Sequence, residues 1–249
     1  MNAKTIGYME SASEGMRMDH LFDIHREEEA RVCFVVGEGN GQLELYHGSK
    51  SGIEGAIRPI SRSLCDFGAG FYMGTEELQA LTLICNFPKA ILYKVSVDLT
   101  GLRLLDMEIG LDWALLIAFY RGKMETLKDN SLYRKYAAML EGCDMVSGYI
   151  ANDRMFMVLD RFFSGEITDA ALLHSLSALK LGKQYVALTE RACGRIRILE
   201  AKAVGEKERN ALRVQSETYR QEGIRQAEEI CRRYRRDGRF FDEITGGGA

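Results

Sequence analysis

Apolar and polar side chains first alternate at Leu43-Glu44-Leu45-Tyr46-His47, the pattern of a short strand that ends at a His47-Gly48 corner. Phe71-Tyr72-Met73 makes a second strand after a turn. Thr75 is placed to cap a helix whose first turn carries Glu76 and Glu77 and whose apolar positions run from Leu78 to Ile84, with Pro88 beyond its end. Ala90 to Asp98 is rich in β-branched residues and reads as a strand, and Leu102 to Leu105 as another. Trp113, Leu116, Ile117 and Tyr120 recur at helical spacing in a largely helical stretch over residues 108–141, the usual stripe of a core-facing helix. Met145 to Ile150 is a short apolar segment that exits at Ala151-Asn152-Asp153-Arg154. Thr168 caps a helix that reaches about Leu181 and stops at Gly182 as its C′ residue. Gln184 to Thr189 is a further strand followed by a short helix or turn. From Glu206 to Arg236 the chain is almost continuously helix-forming and highly charged.

These elements alternate without a regular βαβ rhythm. The fold class expected is α+β, a split mixed or antiparallel sheet with flanking helices and a charged C-terminal helix. Three regions follow: a partly helical N-terminal extension over 1–42, with Met18, Leu21 and Phe22 as its apolar hints, a central domain over 43–200, and the charged helix with a Gly-rich tail over 201–249.

Composition narrows the setting. A chain of 249 residues with 46% hydrophobic and 28% charged residues is an ordinary globular protein, and a net charge of −3 gives no general attraction to nucleic acid or anionic membranes. The six cysteines are scattered, without a Cys-x-x-Cys pair or a clustered histidine, which argues against a zinc site or a disulfide framework. No segment approaches the ~18 apolar residues of a bilayer span, and the N-terminus lacks an apolar h-region. The expectation is a cytoplasmic protein with no membrane contact.

The chemistry gathers around Tyr46-His47-Gly48-Ser49 and Cys65-Asp66-Phe67-Gly68-Ala69-Gly70-Phe71-Tyr72-Met73. Glycines here permit positive φ and close approach of a ligand, so the neighbourhood reads as a cleft able to grip a flat, polar cofactor between His47 and Tyr72. Asp66-Phe67-Gly68 also spells a kinase signature. No Gly-rich phosphate loop, Val-Ala-Ile-Lys strand or His-Arg-Asp loop precedes it, and that reading is rejected. Arg232, Arg233, Arg235, Arg236 and Arg239 give the last helix a basic end, offset by Glu206, Glu208, Glu217, Glu222, Glu228 and Glu229. Such a helix reads as a solvated face or a protein-partner docking arm.

Taken in order, these motifs resemble the ADP-ribosyltransferase superfamily, in its His-Tyr-Glu branch, and more narrowly a bacterial family of uncharacterised ADP-ribosyltransferase-like proteins. The matching residues are Leu45 to Ser49, Asp66 to Thr75 with Gln79-Ala80, Asp112-Trp113 with Tyr120-Arg121, Asp144 to Arg154, and Lys183 to Ala192. The resemblance covers roughly residues 43–200.

It implies that NAD binds and that its ADP-ribose moves to an acceptor (protein, nucleic acid or small molecule) as nicotinamide leaves. His47 would hydrogen-bond the adenosine-side ribose, the Gly48 backbone would clamp the nicotinamide amide, and Tyr72 would stack on the nicotinamide ring. Ser49, Gly70, Phe71 and Asp153 complete the implied cofactor contacts, with Asp153 also a reserve carboxylate. Gln184 falls where the branch carries its catalytic Glu. That departure matters, because glycosidic cleavage builds an oxocarbenium-like charge that a carboxylate stabilises better than a neutral amide. Losing one well-aimed electrostatic contact commonly costs on the order of 10²–10³ in rate. The same residues also suit a non-catalytic NAD- or ADP-ribose-binding or protein-interaction module, and an NAD glycohydrolase.

Overall fold

In the computed structural model the described residues are 41–61, 64–150, 153–178 and 182–245. The helical hint in the N-terminal extension and the Gly-rich tail lie outside them. Among the described residues the chain forms one seven-stranded mixed sheet flanked by helices, an α+β architecture. The strands are β1 (Gln42–Ser49), β2 (Phe71–Gly74), β3 (Ile91–Asp98), β4 (Leu104–Asp106), β5 (Met145–Tyr149), β6 (Lys183–Ala187) and β7 (Ile196–Ala203). Their order is β4-β5-β6-β2-β1-β3-β7, and only β4 and β5 run parallel. The helices are α1 (Glu77–Ile84), α2 (Leu111–Tyr120), α3 (Ser131–Ala138), α4 (Asp153–Phe163), α5 (Asp169–Ala178), α6 (Glu190–Cys193), α7 (Glu206–Arg233) and α8 (Phe241–Thr245).

Pairing within the sheet is uneven. β1 pairs with β3 along its whole length, from Gln42↔Asp98 to Ser49↔Ile91. β2 pairs fully with β6, and β6 with β5. Between β1 and β2 there is one pair, Tyr46↔Gly74. The sheet is therefore two well-laced halves joined at a narrow seam. Alternation sorts the side chains. Leu45, Phe71, Tyr93, Val95 and Val97 enter one core, roofed by Leu99, Leu102 and Cys193. On the opposite face Leu92 meets Ala80, Leu81 and Ile84 of α1 together with Leu212 of α7.

Several local expectations are corrected. β1 does not end at the His47-Gly48 corner but continues to Ser49, because β3 supplies partners that far. Thr75 does not cap α1. Glu76 holds the N-cap position with no side-chain cap, and both the N–H and the hydroxyl of Thr75 donate to the Lys183 carbonyl, at 3.0 and 3.2 Å. Gly182 has no positive φ, so it is no left-handed helix terminator. A Cβ there would strike the Gln79 side chain. The stretch 108–141 breaks into α2, a short 3₁₀ turn at Glu125–Leu127, and α3. β7, α4 and α8 were not anticipated.

Other expectations agree with the structure. Trp113, Leu116 and Ile117 are fully buried. Thr168 caps α5, its hydroxyl accepting from Ala171 N at 3.3 Å. The long charged helix exists as α7, with Ala227 and Cys231 buried in contacts with α5 and α4. No helix of the described residues is long and apolar enough to cross a membrane.

One buried carboxylate ties the far half of the sheet to its loops. Asp144, just before β5, accepts from Arg103 N at 3.0 Å, Thr189 Oγ1 at 3.0 Å and Arg191 Nη1 at 3.1 Å. Asp144→Ala removes the acceptor of the Arg103 backbone N–H and loosens the α6 cap. It is expected to cost about 1–3 kcal/mol of unfolding free energy, measured by urea denaturation; an unchanged midpoint would refute this role.

Candidate functional site

Where the β1–β2 ladder lapses, a cleft of about 470 Å³ opens. Had the pairing continued past Tyr46↔Gly74, antiparallel register would set Gly48 opposite Tyr72. Instead the His47 side chain bridges the strands, its Nδ1 2.7 Å from the Tyr72 carbonyl oxygen. That carbonyl can only accept, so Nδ1 carries the proton and, in the neutral ring, Nε2 is an acceptor. Phe71 stacks on the imidazole, with centroids 4.2 Å apart and planes 23° apart. Burial pushes the His47 pKa below its ordinary value, against a smaller opposing effect of the hydrogen bond to Tyr72. The ring is a neutral strut, and the β2-facing edge of the Gly48 backbone is left without a strand partner.

Tyr72 is anchored through its hydroxyl, which donates to the Gly68 carbonyl at 2.8 Å and accepts from Phe67 N at 3.0 Å. Burial drives its pKa well above the ordinary tyrosine value. The phenol is thus neutral and spoken for, and what Tyr72 can offer a ligand is its ring. The tether needs a tight turn, and Gly68 supplies it at φ 76°, with the Tyr120 ring packed where a Cβ would stand. Gly48 is glycine for a different reason. A Cβ there would lie 2.7 Å from the Ala80 carbonyl of α1, so helix packing as well as cleft access requires the bare backbone.

The strand register brings Gln184 beside Tyr72. Tyr72↔Val186 and Gly74↔Gln184 pair across β2 and β6, which makes Tyr72 and Gln184 diagonal neighbours on one face. Gln184 is buried, and its Nε2 donates to Asp66 Oδ2 at 2.8 Å and to the Tyr149 carbonyl at 3.2 Å. Asp66 is gripped in turn by Arg121, whose Nε and Nη2 lie 3.1 and 2.6 Å from Oδ1. The Arg121 guanidinium stacks over Phe156 at 4.1 Å. Arg121 therefore stands between the cleft and an open depression along α4.

Of the residues expected from the sequence, His47, Gly48, Ser49, Gly70, Phe71, Tyr72 and Gln184 all line this one cleft. Ser49 Oγ is engaged with the Gly52 backbone in both directions, at 2.9 and 3.0 Å, shaping the exit from β1. Asp153 opens α4 rather than sitting in a turn.

Sequence reasoning gave no role to Asp66, Arg121 or Lys50, all three on the cleft wall. Asp66 and Arg121 both fall inside quoted motifs, the one usable signal, but their pairing spans the fold. Lys50 follows β1 directly, lies over the Phe87 ring at 4.4 Å and has no ion pair among the described residues. The apolar rim is Ile60 and Leu83, both largely exposed.

Fold and site together define an α+β protein with a ligand-sized cleft at a seam in its sheet. Residues 43–198 match the family described as "Protein of unknown function (DUF3990)", and the chain belongs to that family. The match begins in β1 and ends within β7, so it contains the whole seam and leaves out α7. No curated protein and no solved structure matches the chain.

The depressed His47 pKa fixes a pH dependence. Unfolded histidine takes up a proton near pH 6.5, while the folded ring resists until lower pH. Stability from the neutral strut is complete above about 6.5 and is lost as pH falls toward the folded value. Relative to His47→Gln, which does not titrate, wild type is expected to lose unfolding free energy between pH 7 and pH 5. Parallel pH profiles in chemical denaturation would show that the ring is not held neutral.

Proposed function

We propose that the cleft binds NAD and that the protein transfers ADP-ribose from it to an acceptor, with release of nicotinamide. The observation that supports this reading is the convergence of His47 on β1, Tyr72 on β2 and Gln184 on β6 around a single opening in the sheet. That is the ordered set carried by the resemblance to ADP-ribosyltransferases, now within one volume.

Each group has a suitable chemistry. His47 Nε2, an acceptor in the neutral ring, takes a hydrogen bond from a hydroxyl of the adenosine-side ribose. The open backbone edge at Gly48 meets the nicotinamide amide, a group with one donor and one acceptor side. The ring of Tyr72, immobilised by its hydroxyl, stacks on the nicotinamide. Lys50 supplies a cation for the diphosphate. Gln184 accepts from a hydroxyl of the reacting ribose. The bond from ribose C1′ to the nicotinamide nitrogen breaks, its electron pair leaves with nicotinamide, and the acceptor adds to C1′ and gives up a proton. The leaving group is cationic in the substrate and departs neutral.

A second reading is favoured by Gln184 itself: a neutral amide at that position suits a module that holds NAD or ADP-ribose without cleaving it. Calorimetry with NAD and a nicotinamide-release assay separate the two. Under the transferase reading wild type binds and releases nicotinamide, while His47→Ala and Tyr72→Ala each lose roughly tenfold or more in affinity. Binding without release on any macromolecule or on water selects the binding module; release without label on a macromolecule selects a glycohydrolase. No binding at millimolar NAD refutes the cofactor.

Lys50→Ala supplies a sharper check of ligand orientation. It is expected to weaken NAD binding by roughly tenfold, the worth of one charge-assisted contact, and to leave free nicotinamide affinity unchanged. Equal loss for both ligands would place the diphosphate elsewhere.

A further inference from the structure

Among the described residues, the Gln184 amide nitrogen has two hydrogen-bond partners, a carboxylate oxygen of Asp66 and the carbonyl oxygen of Tyr149. Both are acceptors and neither can donate, so the amide has a single admissible orientation, nitrogen inward. Its oxygen, Oε1, makes no hydrogen bond among the described residues, and Gln184 lines the cleft. Asp66 is in turn fixed by Arg121 through two contacts to its other oxygen. Asp66 and Gln184 are 5% and 4% exposed, so water does not compete for the bond between them.

We propose that Asp66 is a positioning residue for this cleft: it locks the Gln184 amide with Oε1 toward the ligand and, through the N–H it accepts, increases the negative character of that oxygen. The proposal deepens the NAD-cleaving reading above and rests on it. It explains how a neutral side chain serves where that reading calls for a carboxylate. As the C1′–N bond breaks and its electrons leave with nicotinamide, positive charge grows on the ribose. A ribose hydroxyl bonded to Oε1 then gains from the charge behind the amide. Arg121 keeps the Asp66 carboxylate in place through the oxygen that Gln184 does not use. The chain Arg121–Asp66–Gln184 sets the polarity of this part of the cleft wall.

The chain can be inverted by two substitutions, and this supplies the test. In Gln184→Glu the new carboxylate faces Asp66, and one of the pair must take a proton or be repelled. In Asp66→Asn a single amide oxygen must serve both the Arg121 guanidinium and the Gln184 N–H, so one of the two donors loses its acceptor, and Arg121 loses its counter-charge. In the double variant Asp66→Asn with Gln184→Glu, an asparagine N–H donates to the glutamate, and the net charge of the trio is restored. Thermal unfolding and nicotinamide release are measured for all four proteins.

Each single variant is expected to lower Tm by about 3–8 °C and to cut the rate of nicotinamide release at least about tenfold with little change in KM for NAD. The double variant is expected to recover most of the Tm and to release nicotinamide at least as fast as wild type. The Gln184→Glu deficit in Tm is expected to widen from pH 5 to pH 8 as the repulsion switches on. The charged side chains that line the cleft with Gln184 are Asp66, Arg121 and Lys50, and the other titratable ones are His47, Tyr46, Tyr72 and Cys65, all common to wild type and variant; Lys183 pairs with Asp106 at 2.6 Å.

Additive Tm losses, or a Gln184→Glu protein as stable and active as wild type at pH 8, would overturn the proposal. If Asp66→Asn fails to fold, the pH dependence of Gln184→Glu alone decides. Wild type that binds no NAD, alongside a non-additive Tm cycle, would sink the NAD reading while supporting Asp66 as the lock on Gln184.

Discussion

One hydrogen bond, from His47 Nδ1 to the Tyr72 carbonyl, holds the two halves of the sheet at the distance that makes a cleft. β1 and β2 meet in a single backbone pair, then part. A closed ladder at this point would have paired Gly48 with β2 and left no opening; an unbridged one would have left the Tyr72 carbonyl, too, without this partner. A side chain that reaches across the gap resolves the conflict. The imidazole suits the task because it donates with one nitrogen and retains an acceptor on the other, and Phe71 holds its plane.

The rest of the site is built on the same economy, in which the group that faces the cleft is the one the fold leaves over. Tyr72 gives its hydroxyl to the Phe67–Gly68 turn and keeps a ring face. Gln184 gives its nitrogen to Asp66 and Tyr149 and keeps an oxygen. Gly48 gives up any side chain to let α1 approach and keeps its backbone. Orientation is therefore settled before a ligand arrives, and little ordering entropy remains to be lost on binding.

The sequence discloses this unevenly. Strands with strong alternation or β-branched runs, β1, β2, β3 and β6, were legible, as were Trp113 and its stripe as core. β7 was not, because it lies at the sheet edge with Ile198 and Leu199 half exposed and so lacks the alternation of a half-buried strand. α4 carried a readable period in Met155, Val158, Leu159 and Phe162, all buried, but the polar Asn152-Asp153-Arg154 at its head reads as a turn. His47, Tyr72 and Gln184 could be nominated from motif order. The role of Asp66 could not: its partner lies 118 positions away, and only the β2–β6 register brings the two together.

Helix α1 has a position whose meaning extends beyond the cleft it borders. One side of it, through Ala80, Leu83 and Ile84, walls the opening; Ala80 and Ile84 also belong to the cluster that Leu212 of α7 completes. α7, 28 residues and about 42 Å long in all, packs on α5 and α4 as well as on α1. The wall of the cleft is thus a shared partition, with the opening on one side and attachment of the long helix on the other. By linkage, a ligand that steadied this partition from within the cleft would steady the attachment of the helix by the same free energy.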